Sequence, residues 1–208
     1  MDAALLENGA NVSNPILRFY GWTEPAATFG YFQRYAEMEL ATTLRPLIRR
    51  PTAGGLVPHS ADWTYSVLFP ASHPWYALRA EESYEQLHEW VRRSLLPWAS
   101  DVVLAPCCAK ELPGQCFAGP EKYDLVWNNH KIAGAAQRRT RNALLIQGSI
   151  QSQPSGIVRE DWESSFLRAG SEAWGVSWEP FDLTGAWSKT IEGMMRNRYA
   201  LDSFHRRR

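Results

Sequence analysis

The sequence predicts an α+β fold: a mixed β-sheet flanked by helices, within one domain spanning residues 1–208. Three observations carry that prediction. Short runs rich in β-branched and aromatic residues recur between Gly- and Pro-containing turns. Longer segments carry apolar residues at helical spacing. The two kinds of element follow one another without a strict strand–helix–strand rhythm.

In chain order, MDAALLE (1–7) reads as the end of a helix, and ILRFYGW (16–22) as a strand. ATFGYFQ (27–33) is a second short strand interrupted by Gly30, and YAEMELATTL (35–44) is helical in character. Residues 46–70 run strand, Gly-containing loop, strand, the last being WTYSVLF. Over 79–96, Tyr84, Leu87, Val91 and Leu95 fall at offsets of 3, 4 and 4, one helix face. Glu81 and Glu82 near its start and Arg92 and Arg93 near its end suit the helix dipole, and Pro97 stops it. VVLAPCC (102–108) is a strand followed by a Gly/Pro-rich loop. YDLVW and KIAG form a hairpin over Asn128 and Asn129, and ALLIQGSI returns as a strand. The remainder, WESSFLRAGSEAW and LTGAWSKTIEGMMRNRYAL, is helical with Gly breaks.

With 208 residues the chain can bury roughly 70% of its unfolded surface, so a core forms without staples. Twenty-two basic residues balance 22 acidic ones, which gives no electrostatic case for nucleic acid or a membrane surface. No apolar run approaches the roughly 20 residues of a membrane span. MDAALLENGANVS carries neither the basic start nor the apolar run of a secretory signal. Three cysteines are an odd, sparse set, so a reducing cytoplasm is the expected compartment. Ten tryptophans are unusual at this length; they fill or cap the core, or a few of them wall a slot for an apolar ligand.

Three places invite chemistry. The loop over 49–59 holds Arg49, Arg50, Thr52, Gly54, Gly55 and His59: glycines let a backbone approach a ligand, and arginines hold anions. A hairpin turn with surface arginines accounts for the same residues. Lys131 precedes the small-residue run Ile-Ala-Gly-Ala-Ala, which implies close packing or ligand approach beside an amine; a strand lysine is also an ordinary solvated edge charge. Cys116 follows Pro113 and Gly114, and an ammonium nearby would lower its thiol pKa from about 8.5, with Lys131 the candidate. Cys107 and Cys108 read as buried small hydrophobes rather than a metal pair. Arg138, Arg139 and Arg141 read as a solvated face or a dock for an acidic protein, and the terminal HRRR as a frayed end.

RRPTAGG with the following Val and His, YDLVWNNHKIAGAAQ, and LLIQGSI together resemble the three signature segments of the lipoate–protein ligase and octanoyltransferase family. RFYGW, FGYFQ and MDAALLE resemble that family's first elements, so the likeness runs from residue 1 to about 150 in order. The resemblance implies a catalytic domain of the kind shared with the class II biotin ligases. It implies that Lys131 binds the acyl carbonyl, that Arg50, Thr52, Gly54, Gly55 and His59 wall the acyl site, and that Gly134, Ala135 and Gln137 close over it. Tyr65, Val67 and Leu145 are expected to line an acyl tunnel.

The family contains ATP-dependent ligases, which would bring ATP and Mg as cofactors, and octanoyltransferases, which need none. PGQCFAGPEKY before the lysine segment resembles the cysteine-using octanoyltransferases, with Cys116 placed 15 residues ahead of Lys131. The implied reaction moves an octanoyl or lipoyl group from an acyl carrier protein thioester, through a Cys116 acyl-enzyme, to a lysine. The acceptor would be a lipoyl domain or a glycine-cleavage H protein. The chain departs from the family pattern at Ala53, at Pro58 and at Ser60, where an aspartate is common after the histidine. These departures are the sequence support for a third reading, a binder of the same fold without turnover.

Overall fold

The computed structural model describes residues 1–108 and 119–207. The strands β1 (Ile16–Tyr20), β5 (Trp63–Pro70), β9 (Ala143–Ile150), β8 (His130–Arg139), β7 (Leu125–Trp127) and β6 (Val103–Leu104) form a six-stranded sheet in that order, every pair antiparallel. A smaller sheet sets β2 (Ala26–Phe29) between β3 (Leu47–Arg49), which is parallel to it, and β4 (Val57–His59), which is antiparallel. The helices are α1 (Asp2–Glu7), α2 (Tyr35–Ala41), α3 (Pro74–Ala77), α4 (Ala80–Leu95), α5 (Arg159–Trp174), α6 (Ala186–Met194) and α7 (Asp202–Arg206). The architecture is α+β, and no described helix is long and apolar enough to cross a membrane.

The period-2 alternation of β5 divides the large sheet into two chemically distinct faces. Tyr65, Val67 and Phe69 point into the main core with Leu87, Trp90 and Val91 of α4 and Trp162 and Phe166 of α5. Trp90 and Trp162 bring indole N–H groups into this apolar layer and satisfy them, on the Phe166 carbonyl at 2.8 Å and the Ser94 hydroxyl at 2.9 Å. The opposite face carries Thr64 and Ser66, then Leu68, which packs with Leu5, Leu6 and Leu145 under α1. This polar half-face is where a site can form.

Several elements differ from the sequence expectation for physical reasons. Tyr65 and Val67 sit in the helix-covered core and Leu145 in the α1 cluster, so none of the three lines a tunnel. Gly170 does not break α5: a Cβ there would lie 2.8 Å from the Trp90 ring, so the glycine admits the indole. Asn128 and Asn129 take positive φ (49° and 61°), as a two-residue turn requires, but the strand after them runs ten residues to Arg139. Cys107 and Cys108 are exposed, not buried, because β6 is only two residues long and the chain leaves the sheet edge before them. The terminal segment is tied down rather than frayed: buried His205 accepts from the Arg49 N–H at 3.1 Å, and the Arg207 carbonyl accepts from the Arg49 guanidinium at 2.6 Å.

Candidate active site

Lys131 enters β8 immediately after the asparagine turn, where a bulge between Leu125 and Val126 shifts the register and re-aims the side chains. Its Nζ lies 2.6 Å from Asp124 Oδ2, with the two side chains 5% and 0% exposed. A buried carboxylate must be saturated with donors, and this one is. Asp124 also accepts from the Tyr84 hydroxyl at 2.5 Å and from the Glu121 N–H at 2.6 Å. Tyr84, on α4, in turn accepts from the Ala135 N–H at 3.2 Å. Burial first, and then the Asp124 charge, push the Tyr84 phenol well above its ordinary pKa, so it stays a donor.

The small residue after the lysine has a measurable purpose. A Cβ on Gly134 would lie 2.9 Å from both Lys131 Cε and Nζ and 3.1 Å from Asp124 Oδ1. Glycine at this position leaves room for the lysine to fold back across the strand to its carboxylate. Asp124 and Tyr84 went unidentified in the sequence reading. The only local signal for the aspartate is its place in YDLVW, seven residues ahead of the lysine.

Lys131 and Gly134 form one wall of a cavity of about 220 Å³ on the polar face of the large sheet. Ala135, Gln147 and Ser149 continue that wall, and Arg50, His59 and Thr28 of the small sheet close it from the other side. His59 is buried and held at both ring nitrogens, Nδ1 by Asp62 Oδ2 at 2.7 Å and Nε2 by the Thr28 hydroxyl at 2.8 Å. A carboxylate cannot donate, so Nδ1 carries the proton towards Asp62 and, in the neutral ring, Nε2 accepts from Thr28. The Ser149 hydroxyl donates to the same Asp62 oxygen at 2.6 Å. The Trp22 indole stacks on the imidazole at 4.0 Å, so this tryptophan, unlike those of the core, belongs to a cavity wall.

Arg50 donates to the Ala53 carbonyl at 2.6 Å and approaches Thr28 Oγ1 at 3.4 Å, with its side chain on the cavity. Thr52 is fully buried behind it, and its hydroxyl donates to Gln147 at 2.8 Å. Gln147 reaches on to Asp2 at 2.7 Å, and Asp2 also accepts from Ser66 and Arg18, each at 3.0 Å. Gly54, with φ 85°, brings its carbonyl so close to Gly30 that a Cβ on Gly30 would meet it at 2.0 Å. Gly54 and Gly55 shape the loop without lining the cavity. Gln137 points the other way, its amide bonded to Ser83 and to the Ala80 carbonyl of α4. Cys116 lies outside the described residues.

Among the expected site residues, then, the fold gathers Arg50, His59, Lys131, Gly134 and Ala135 around one cavity, backs it with Thr52, and sets Gln137 on the opposite face. Chemically, the cavity offers a cationic amine, a guanidinium and an imidazole of fixed tautomer, with space between them for a chain-like ligand.

A family model for the lipoyl protein ligase A/B catalytic domain matches residues 1–168. Octanoyltransferase LipM of Halalkalibacterium halodurans is 26% identical over an alignment that covers 100% of this chain and 93% of the relative. Octanoyltransferase LipM of Geobacillus kaustophilus is 33% identical over 163 residues, covering 72% of this chain and 59% of the relative. Among solved structures, lipoate-protein ligase A bound with ATP superposes with a TM-score of 0.80 at 19% identity, covering 99% of this chain and 91% of that one. A bi-partite lipoate protein ligase from Thermoplasma acidophilum gives 0.75 at 17% identity, covering 99% and 89%.

Proposed function

The chain belongs to the lipoyl protein ligase A/B catalytic-domain family, and on that premise we propose that it transfers an octanoyl group, or its lipoyl counterpart, in protein lipoylation. The donor is an acyl carrier protein thioester, the acceptor is the lysine of a lipoyl domain or of a glycine-cleavage H protein, and the acyl group is carried on Cys116 in between. Octanoyl transfer is the named activity of both relatives described above, the LipM proteins of Halalkalibacterium halodurans and Geobacillus kaustophilus. The single observation that carries the reading is the 220 Å³ cavity with the Lys131 ammonium in its wall.

In the first half-reaction the Cys116 thiolate attacks the thioester carbonyl and the donor thiol leaves with a proton, giving an S-acyl enzyme. In the second, the acceptor's neutral amine attacks that thioester; an amide forms, the carbon–sulfur bond breaks and Cys116 regains its thiol. Lys131 Nζ, held against Asp124 in the cavity wall, stabilises the oxyanion of each tetrahedral intermediate. Such a donor contributes on the order of 3 kcal/mol. His59, with Nδ1–H fixed on Asp62, presents Nε2 through the Thr28 hydroxyl as a route for the amine proton. No nucleotide or metal enters this scheme.

Intact-mass spectrometry tests it. Octanoyl carrier protein without ATP is expected to add one octanoyl mass to the protein, and Cys116→Ala is expected to abolish the adduct. An equal adduct on the variant, or none on either protein, overturns the acyl-enzyme. Pyrophosphate release with ATP and lipoate would assign the chain to the ligases instead.

A further inference from the structure

Beside the acyl cavity lies a second cleft, of about 170 Å³, which shares Ala3, Pro51 and Tyr199 with it as a common wall. Its lining contains three guanidinium groups, those of Arg138, Arg198 and Arg207, and one carboxylate, Glu7. Glu7 is taken by Arg198, with which it forms a close ion pair. Arg138 and Arg207 have no carboxylate partner among the described residues. The two stand against the same ring, at 4.6 and 4.7 Å from the centroid of Tyr31.

The sequence groups Arg138 with Arg139 and Arg141, but the fold separates them. Arg139 crosses to the Tyr76 carbonyl beside α3, and Arg141 is exposed in the turn before β9. Arg138 donates to the Pro51 carbonyl at 2.9 Å, lies over the Tyr31 ring and bonds the Tyr31 phenol, and lines the cleft. Burial opposes ionisation of the Tyr31 phenol, yet Arg207 and Arg138 outweigh it and hold the pKa below the ordinary value. The ring sits in a strongly positive local field, as an anion placed there would.

We infer that this cleft is a binding site for a phosphate group. Two guanidiniums without a carboxylate partner suit a phosphate, whose several oxygens carry about −1 as a diester and about −1.5 to −2 as a monoester near pH 7. Planar guanidinium forks also match phosphate oxygens in pairs. The phosphate comes from one of two sources. It is free in solution, or it belongs to the phosphopantetheine-type arm of the thioester donor, whose acyl end fills the neighbouring cavity; the second source rests on the transfer reading.

A thermal-shift titration with inorganic phosphate, at ionic strength held constant with chloride, tests the site without reference to catalysis. Phosphate is expected to raise the melting temperature of the wild-type protein and of Arg141→Gln, a control outside the cleft. The apparent affinity should fall at least tenfold in Arg138→Gln/Arg207→Gln. Arg207→Gln alone, at an exposed position, should show an intermediate loss, which guards against a folding defect in the double variant. No phosphate-specific shift, or the same shift in all four proteins, overturns the proposal.

A second arm separates the sources. KM for octanoyl-phosphopantetheine is compared with KM for octanoyl-pantetheine, which lacks the phosphate. A KM at least tenfold lower for the phosphorylated donor, lost in Arg207→Gln, assigns the site to the donor arm. Equal values, with the thermal shift retained, assign it to free phosphate. Should octanoyl transfer itself fail, the titration arm stands unaffected.

Discussion

Removing the charge of Asp124 while keeping its shape, in Asp124→Asn, is expected to destabilise the protein by about 3–5 kcal/mol. The magnitude follows from the geometry. At 2.6 Å and an effective dielectric constant of about 20, the Lys131–Asp124 attraction is roughly 6 kcal/mol, and both side chains are out of water. Their desolvation offsets part of that gain in the native protein, so the pair's net contribution is small. Breaking it is costly because a buried ammonium loses its counter-charge while the desolvation remains. The same argument predicts a strongly non-additive cycle. Lys131→Met removes the stranded charge and keeps an unbranched side chain in the site, so Asp124→Asn/Lys131→Met should recover at least half of the loss. Urea denaturation of the wild type, the two single variants and the double variant at pH 7.5 gives the coupling energy directly. Single-variant losses that simply add, with coupling under about 0.5 kcal/mol, would refute the buried-pair reasoning.

Gly134→Ala puts a methyl group 2.9 Å from Lys131 Nζ and should move the amine off its carboxylate. Acyl-enzyme formation, followed by mass spectrometry over time, is expected to slow by about 100-fold, and an unchanged rate would mean that the lysine's position is immaterial. Buried His88 has its pKa lowered to about 4, chiefly by burial, and its Nδ1 donates to the Tyr84 carbonyl. The folded state therefore keeps it neutral, while the unfolded chain binds its proton below about 6.5. Stability should fall by ~3 kcal/mol as pH drops from 7 to about 4; urea midpoints of His88→Gln should lack that component, and parallel pH slopes for variant and wild type would reject it. Asp62→Ala leaves the His59 Nδ1–H and the Ser149 hydroxyl buried without their acceptor, at about 1–3 kcal/mol each, read from the shift in urea midpoint. Trp162→Ala should cost about 3–5 kcal/mol, since the ring is fully buried between β1, β5 and α5; a loss below 1 kcal/mol would contradict that packing.

What the sequence made legible follows the range of the forces involved. The strand runs, the α4 face and the asparagine turn are local patterns, and the structure contains all three. Lys131 and Gly134 are three apart on one strand, nominally on opposite faces, so only the small-residue run hints that the lysine folds back across it. The counter-charge could not be suspected, because Asp124 reaches Lys131 only through the register shift at the β7–β8 bulge. Tyr84 is 40 residues away from Asp124 and arrives on a helix across the sheet. Gln137 was misplaced for a related reason. Strand periodicity assigns it to the opposite face from Gly134, three residues earlier, and the Ser83 bond keeps it there. The arginine cleft was illegible because it draws on residues from α1, β8 and the segment after α6, which adjoin only once the chain has folded.

Ser60, standing where an aspartate is common after the histidine, is part of the sequence support for a binder without turnover. The fold supplies the acid from another position. Asp62 comes back under His59 at i+3 and takes the Nδ1 proton at 2.7 Å, while Ser149 from β9 fixes the same carboxylate oxygen from the large sheet. Ala53 likewise does not block the loop, because the close approach is made at Gly54 and Gly30, and Ala53 contributes only a backbone carbonyl to Arg50. Pro58 sits in β4 paired with Ala27, where the missing N–H is tolerated at a sheet edge. Each departure therefore leaves the cavity's donors and acceptors in place. A loss of turnover would have to originate elsewhere, so the first comparison to make is between acylation of the wild type and of Cys116→Ala.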